Sequence, residues 1–333
     1  MSNSNLSDDE RKMRNRLNYL SDKIFRYINI EELLVIKFFK PAVIAFMHEP
    51  LSVPSVDTYE RIEFNETLEL CDTFLSDLHF GLHEIFMFLR DVNNGIYPNS
   101  DHTMAYPIYR MIKLATKNNF IDTANLMHEN AHMLLEWNVW PGILEEIAPI
   151  AVETLAVQFL IGQNKKTEQI QPIRIKQLNE NTNYMYAVIS LIEMFEFAEI
   201  NISENGLDND SREKLSRVSL PENKLAFLDG LIKLEEILTD LGLKNKRSLN
   251  LNHYIGTIIG VFLAEQIKNE EIDLDMIFNI LLNRKLDYKQ KLTNLGVTEE
   301  TINMLVSNLY KYTETKINMG VDSFIEINPV LNK

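Results

Sequence analysis

His128, Glu129, Asn130, Ala131 and His132 spell HExxH. Residues four apart on an α-helix lie on one face, so both imidazoles can point a ring nitrogen at a single metal ion, zinc above all. Glu129 lies close to the same face, placed to take a proton from water at the metal instead of binding the metal itself. Chance alone would place this pattern in about one chain in a hundred of this length and histidine content. The surrounding sequence therefore has to decide.

Those surroundings predict a helix. Asp122 and Thr123 can cap its start, Leu126, Met127, Leu134 and Leu135 supply apolar contacts, and the run ends at Trp137 before Pro141 and Gly142. A catalytic zinc needs a third protein ligand. Glu153 is the leading candidate, on a second helix read over Gly142 to Gly162 with a kink at Pro149; Glu136, Glu145 and Glu146 are rivals that read as surface carboxylates. Two His and one Glu leave a coordination position open for water or a carbonyl oxygen.

The 333 residues are 45% hydrophobic with eleven Gly and ten Pro, a composition that predicts a helix-rich globular protein with a sizeable core. A formal net charge of −15 argues against binding nucleic acid through its phosphates and leaves room for a cationic peptide. The lone Cys71 excludes an internal disulfide and fits a reducing compartment. A polar Met1 to Arg16 predicts no secretory signal, and the apolar stretch from Leu33 to Met47 is interrupted by Lys37, Lys40 and Pro41. The expectation is a cytoplasmic protein that does not span a membrane.

Along the chain, helical patterns cover Glu10 to about Met47, Glu66 to Val92 with a stop at Asn93 to Gly95, Glu180 to Asn201, Glu222 to Leu241, Leu251 to Asn269, Asp273 to Asn283 and Thr298 to Lys316. Residues 1 to about 12 read as frayed, Glu49 to Asp57 as a loop, and Ser203 to Arg217 as polar with a turn at Asn205 and Gly206. Between Asn99 and Asn119, the block containing Tyr106, Ile108, Tyr109, Met111, Ile112 and Leu114 reads as one or two strands ahead of the metal helix. A sheet edge there would hold an extended peptide by backbone hydrogen bonds. The boundaries drawn are an N-terminal helical segment, 1–60, and a catalytic domain, 61–333.

Other histidines are weaker candidates. His79 and His83 are four apart beside Glu84, but with no third ligand they read as packed or half-exposed; His102 and His48 read as polar surface.

Several segments together resemble the thimet oligopeptidase and oligoendopeptidase F family of zinc peptidases. They are Asn93 to Trp137, which contains the HExxH turn; IAVETLAVQF, Ile150 to Phe159; MFEFAEINISENG, Met194 to Gly206; HYIGTIIGVFLAE, His253 to Glu265; and NRKLDYKQKLTNLGV, Asn283 to Val297. The resemblance covers roughly residues 65 to 315 in family order. It implies a mainly α, zincin-type fold with a short β-hairpin next to the active-site helix, one zinc ion on His128, His132 and Glu153, Glu129 as general base, and oligopeptide substrates.

The chain departs from the family pattern in three ways. Ala131 replaces the usual Gly. The family places a His ten to twelve residues before a Tyr to stabilise the oxyanion; Tyr254 can stand for the Tyr, but positions 242 to 244 are Gly, Leu and Lys, so either His253 beside Tyr254 substitutes or Tyr254 acts alone. The chain is also shorter ahead of the catalytic half. These departures motivate two alternatives: a non-catalytic peptide-binding protein that keeps the metal site, and a dedicated processing peptidase for one partner peptide.

Overall fold

A computed structural model of the chain describes residues 7–27, 30–53, 61–92, 95–138, 142–163, 170–200, 208–240 and 251–318. Of these described residues 74% are helix and 3% strand, so the fold class is mainly α. Stop signals expected at Asn93 and Asn94, Pro141, the turn at Asn205 and Gly206, and positions 242 to 244 fall outside the described residues.

In chain order the helices are α1 (Asp8–Tyr27), α2 (Ile30–Phe38), α3 (Lys40–His48), α4 (Phe64–Leu78), α5 (Phe80–Asp91), α6 (Phe120–Asn138) and α7 (Ile147–Gly162). They continue with α8 (Ile170–Phe197), α9 (Asn209–Arg217), α10 (Lys224–Asp240), α11 (Leu251–Lys268), α12 (Leu274–Leu282), α13 (Tyr288–Asn294) and α14 (Ile302–Asn318). Strands β1 (Ile96–Tyr97), β2 (Met104–Tyr106) and β3 (Met111–Lys113) lie between α5 and α6. The chain divides into two compact units, Met1–Pro50 with Gln177–Leu251, and Leu51–Lys176 with Asn252–Lys333.

In the first unit, Met13, Leu17 and Leu20 recur at helical spacing on α1 and are buried, as are Phe227, Leu231 and Leu234 on α10, the helix it packs against. Arg16 pairs with Glu235 at 2.9 Å, and Arg14 donates to the backbone carbonyl of Ser216 at 2.8 Å.

The second unit carries HExxH. The single helix expected over Glu66 to Val92 is two, because His79 is extended (φ −164°, ψ 119°) and its Nδ1 accepts the Leu82 backbone N–H. A histidine serving as N-cap gives no signal in apolar periodicity. Its Nε2 meets Asp275 at 2.9 Å, and His83 pairs with Asp72 at 2.7 Å, so both histidines have carboxylate partners on the protein.

The start of α6 also differs from expectation. The helix begins at Phe120, and Asp122 lies inside its first turn, where its carboxylate accepts the backbone N–H groups of Lys117 and Asn118. Asp122 thus ties down the preceding loop instead of capping the helix. Likewise α7 begins after a 3₁₀ turn, Gly142–Leu144, entered through Gly142 at φ 67°. Pro149 falls in the first turn of α7, where a missing N–H breaks no helical bond. The expected kink is therefore a helix start. Every residue of α7 from Ile147 to Val157 is buried, as suits a helix apolar on all sides.

The strands form one sheet in the order β1-β3-β2, with β1 parallel and β2 antiparallel to β3. The β2–β3 hairpin turns through a 3₁₀ turn, Pro107–Tyr109, and Arg110 at φ 52°. Ala105 pairs with Ile112, which is fully buried, while Met104 and Tyr109 are exposed, so one face of the hairpin packs inward and the other meets solvent. This leaves β2 as an edge strand beside α6.

Candidate metal centre

The metal turn sits in the middle of α6. Asn130, between the two histidines, donates from Nδ2 to the carbonyl of Leu82 at 2.9 Å and fixes α6 against α5. His128 and His132 then face the start of α7, and their Nε2 atoms are 3.2 Å apart.

Glu146, at the N-cap of α7, completes the group. Its Oε2 lies 3.3 Å from His128 Nε2 and its Oε1 lies 3.5 Å from His132 Nε2. All three residues are buried, and their donor atoms lie within 4.8 Å of one another. Zinc bonds of about 2.0–2.1 Å in a tetrahedron put ligand atoms roughly 3.3–3.4 Å apart. The 3.2 Å between the two Nε2 atoms fits that cradle, and the Glu146 carboxylate is buried beside them, its Oε2 near ring nitrogens of both His128 and His253. Buried His128, His132 and Glu146 can bind a metal ion.

Glu153 occupies a different place. Its Oε2 is 2.8 Å from His128 Nδ1, the ring nitrogen away from Glu146. Arg174, in the first turns of α8, grips the same carboxylate with two bonds, Nε to Oε1 at 2.9 Å and Nη2 to Oε2 at 2.6 Å. From sequence Glu153 is the leading candidate and Glu146 a rival, and no motif marks Arg174.

Glu129 is buried and accepts the Ala105 N–H at 2.7 Å through Oε2. The edge strand β2 thereby orients the carboxylate of HExxH. His253, near the start of α11, places Nδ1 3.2 Å from Glu146 Oε2 and 3.5 Å from Arg174 Nη1. It is not one of the three residues whose donor atoms lie within 4.8 Å of one another. Tyr254 is buried, at 2% exposure.

The contact between α11 and α7 depends on glycine. A Cβ at Gly256 would lie 2.5 Å from Glu146 Cβ, and one at Gly260 would lie 2.9 Å from Ile150 Cγ2 and 3.0 Å from the Ala151 nitrogen. Without side chains at both positions, α11 comes close enough to set His253 on Glu146. Asn252 adds a bond of 2.5 Å to the neighbouring Glu145.

The electrostatics favour a cation. Burial opposes charge on His128, but hydrogen bonds to Glu146 and Glu153 outweigh it and push the imidazole pKa up to about 10. Burial also opposes charge on His132, and the charge of Glu146 still raises its pKa. Glu153 is driven down to about 2 despite burial, first by the charge of Arg174 and then by bonds from His128 and Arg174. Glu146 is held well below the usual carboxylate range against its burial, chiefly by the charges of His132 and His253. Arg174 feels Glu153, Glu146 and Glu129 together. Three carboxylates against one guanidinium leave two negative charges, which two protonated imidazoles or one divalent cation can balance.

No protein-family model matches the chain, and no curated protein sequence matches it. A solved structure does align with it. The crystal structure of a “putative peptidase” from Chlamydophila abortus aligns over 96% of this chain with 13% sequence identity and a TM-score of 0.49. This chain spans 56% of that protein, just over half its length. The functional argument therefore rests on the geometry of the centre. Among the described residues no helix is long and apolar enough to cross a membrane.

Proposed function

We propose that this protein is a zinc-dependent metallopeptidase that hydrolyses oligopeptides, of the kind represented by the thimet oligopeptidase and oligoendopeptidase F family. The observation that carries this reading is the pair of Nε2 atoms of His128 and His132, 3.2 Å apart, with the two Glu146 oxygens 3.3 Å from the first and 3.5 Å from the second, and with Glu129 next to His128 in the sequence. In this reading His128, His132 and Glu146 hold one zinc ion, and Glu153, the ligand expected from sequence, supports His128 from behind.

Bound there, zinc supplies Lewis-acid polarisation of the scissile carbonyl and lowers the pKa of a water to about 7. Glu129 would serve as the general base, taking a proton from the attacking water and passing it to the departing amine. The Ala105 N–H keeps the Glu129 carboxylate in place, so little reorientation is needed during the transfer. Ala105 is the residue of β2 whose N–H points away from β3, and Glu129 holds that N–H, so the edge of β2 serves the base and not a substrate strand. His253, whose side chain is 35% exposed and reaches Glu146 Oε2 at 3.2 Å, is the group assigned to stabilise the oxyanion, while Tyr254 is buried.

The burial of Tyr254 favours a second reading, a peptide-binding protein that keeps the metal centre for structure. One experiment separates the two. A mixed peptide pool is incubated with wild type and Glu129→Gln, with and without chelator, and read by mass spectrometry. Cleavage that needs zinc and Glu129 supports the peptidase, and cleavage of one sequence alone identifies a dedicated processing enzyme. Peptide binding without turnover at stoichiometric zinc supports the binding protein.

A further inference from the structure

Arg174 makes two parallel bonds to Glu153, and the same carboxylate touches His128 Nδ1 at 2.8 Å. Guanidinium, carboxylate and imidazole thus form one chain ending at His128 Nε2, the atom that faces His132 and Glu146. The Arg174 side chain is 18% exposed and Glu153 is 3% exposed, so the pair is largely removed from water. A buried ion pair is a weak source of stability, because desolvation offsets much of its Coulomb attraction. Its geometry has a more specific use. A carboxylate held beside one imidazole nitrogen favours the proton on that nitrogen and the lone pair on the other, where a metal can bind.

We propose that Arg174 is a positioning residue of the metal centre: by engaging both oxygens of Glu153 it fixes that carboxylate on His128 Nδ1 and so presents His128 Nε2 to the metal. This rests on the metal centre proposed above. The planar fork matters more than the charge. One guanidinium face can hold both carboxylate oxygens in a set orientation, whereas an ammonium is a point charge that fixes distance without angle. Arg174 also keeps Glu153 engaged where Glu146 already occupies the metal-facing side of His128, which gives the two carboxylates separate tasks.

The test is zinc affinity of the full chain, measured by competition with a chromophoric chelator. Two variants keep the net charge of the centre unchanged. Arg174→Lys retains the positive charge and loses the fork, and the double variant Arg174→Met with Glu153→Gln removes one charge of each sign. Both are expected to bind zinc about ten- to a hundredfold more weakly than wild type, the range for loss of an outer partner of a metal-binding histidine. Because Arg174 acts through Glu153, the double variant is expected to be no weaker than Glu153→Gln alone. Melting of the metal-free proteins, followed by helical circular dichroism, is expected to change less than the affinity does.

Wild-type affinity in Arg174→Lys would show that charge alone suffices and would overturn the proposal, as would losses that add in the double variant. A wild type that takes up no zinc would overturn both this proposal and the metal centre. Zinc binding that depends on Arg174 without any peptide cleavage would sink only the peptidase reading.

Discussion

Glu146 and Glu153, seven positions apart along α7, approach the same histidine ring from its two nitrogens, Glu146 at 3.3 Å from His128 Nε2 and Glu153 at 2.8 Å from Nδ1. Seven residues are about two helical turns, so both side chains leave α7 toward α6. Their removal should have different consequences. Glu146→Gln takes away one of the three proposed ligands and is expected to lower zinc affinity far beyond a hundredfold, while Glu153→Gln removes the proposed outer partner and should cost about ten- to a hundredfold. Chelator competition on both variants checks the order. Equal losses, or a larger one in Glu153→Gln, would return the ligand role to Glu153.

Glu129→Gln separates chemistry from binding. The amide oxygen can still accept the Ala105 N–H now bound by Glu129, so fold and metal affinity should stay close to wild type. Loss of a general base commonly costs about 10²–10⁴ in rate. Peptide turnover with zinc fully bound measures it. A variant that cleaves at the wild-type rate would remove Glu129 from the mechanism.

These residues also show how far the sequence could be read. The HExxH turn was legible because four-residue spacing has one meaning on a helix, and one or two strands ahead of it because their apolar block lacked helical period. The choice between Glu146 and Glu153 was not legible. Both lie on one apolar helix with the same heptad phase, and the difference comes from where α7 starts, which the 3₁₀ turn at Gly142–Leu144 sets. Arg174 was invisible for a related reason. It is twenty-one positions beyond Glu153, and only the folded chain brings its guanidinium to that carboxylate. The break at His79 likewise depends on one side-chain bond to Leu82.

The metal-free protein should depend on pH in a defined direction. His128 has a folded-state pKa of about 10 against an ordinary 6.5, so its proton contributes stability that is complete below pH 6.5 and is lost as pH rises through 10. Glu153, at about 2 against an ordinary 4.5, contributes above pH 4.5 and is lost as pH falls toward 2. Melting of the chelated protein should therefore be highest between these limits and should decline on the alkaline side. Zinc replaces the His128 proton, so its binding at neutral pH must release protons and tighten as pH rises. Titration calorimetry in two buffers of different ionisation enthalpy reads the proton count directly. No proton release would contradict a centre held by His128.

Two glycines offer a paired test of how the centre is assembled. At Gly256 an added Cβ would meet Glu146 Cβ at 2.5 Å and its backbone carbon and oxygen at 2.9 and 3.0 Å. Backbone atoms cannot yield by side-chain rotation, so Gly256→Ala must push α11 away from the residue that begins α7. Overpacking of this kind costs about 1–3 kcal/mol. The displacement also acts on function, since His253 lies one turn before Gly256 and would lose its place on Glu146. Gly162, the last residue of α7, has nothing within 4 Å of the corresponding position. Gly162→Ala should be neutral or stabilising by up to about 1 kcal/mol. If the close approach of α11 positions Glu146, then Gly256→Ala must lower both melting temperature and zinc affinity while Gly162→Ala lowers neither. A Gly256→Ala protein that melts lower but binds zinc as wild type does would show that α11 supports the fold without setting the ligand.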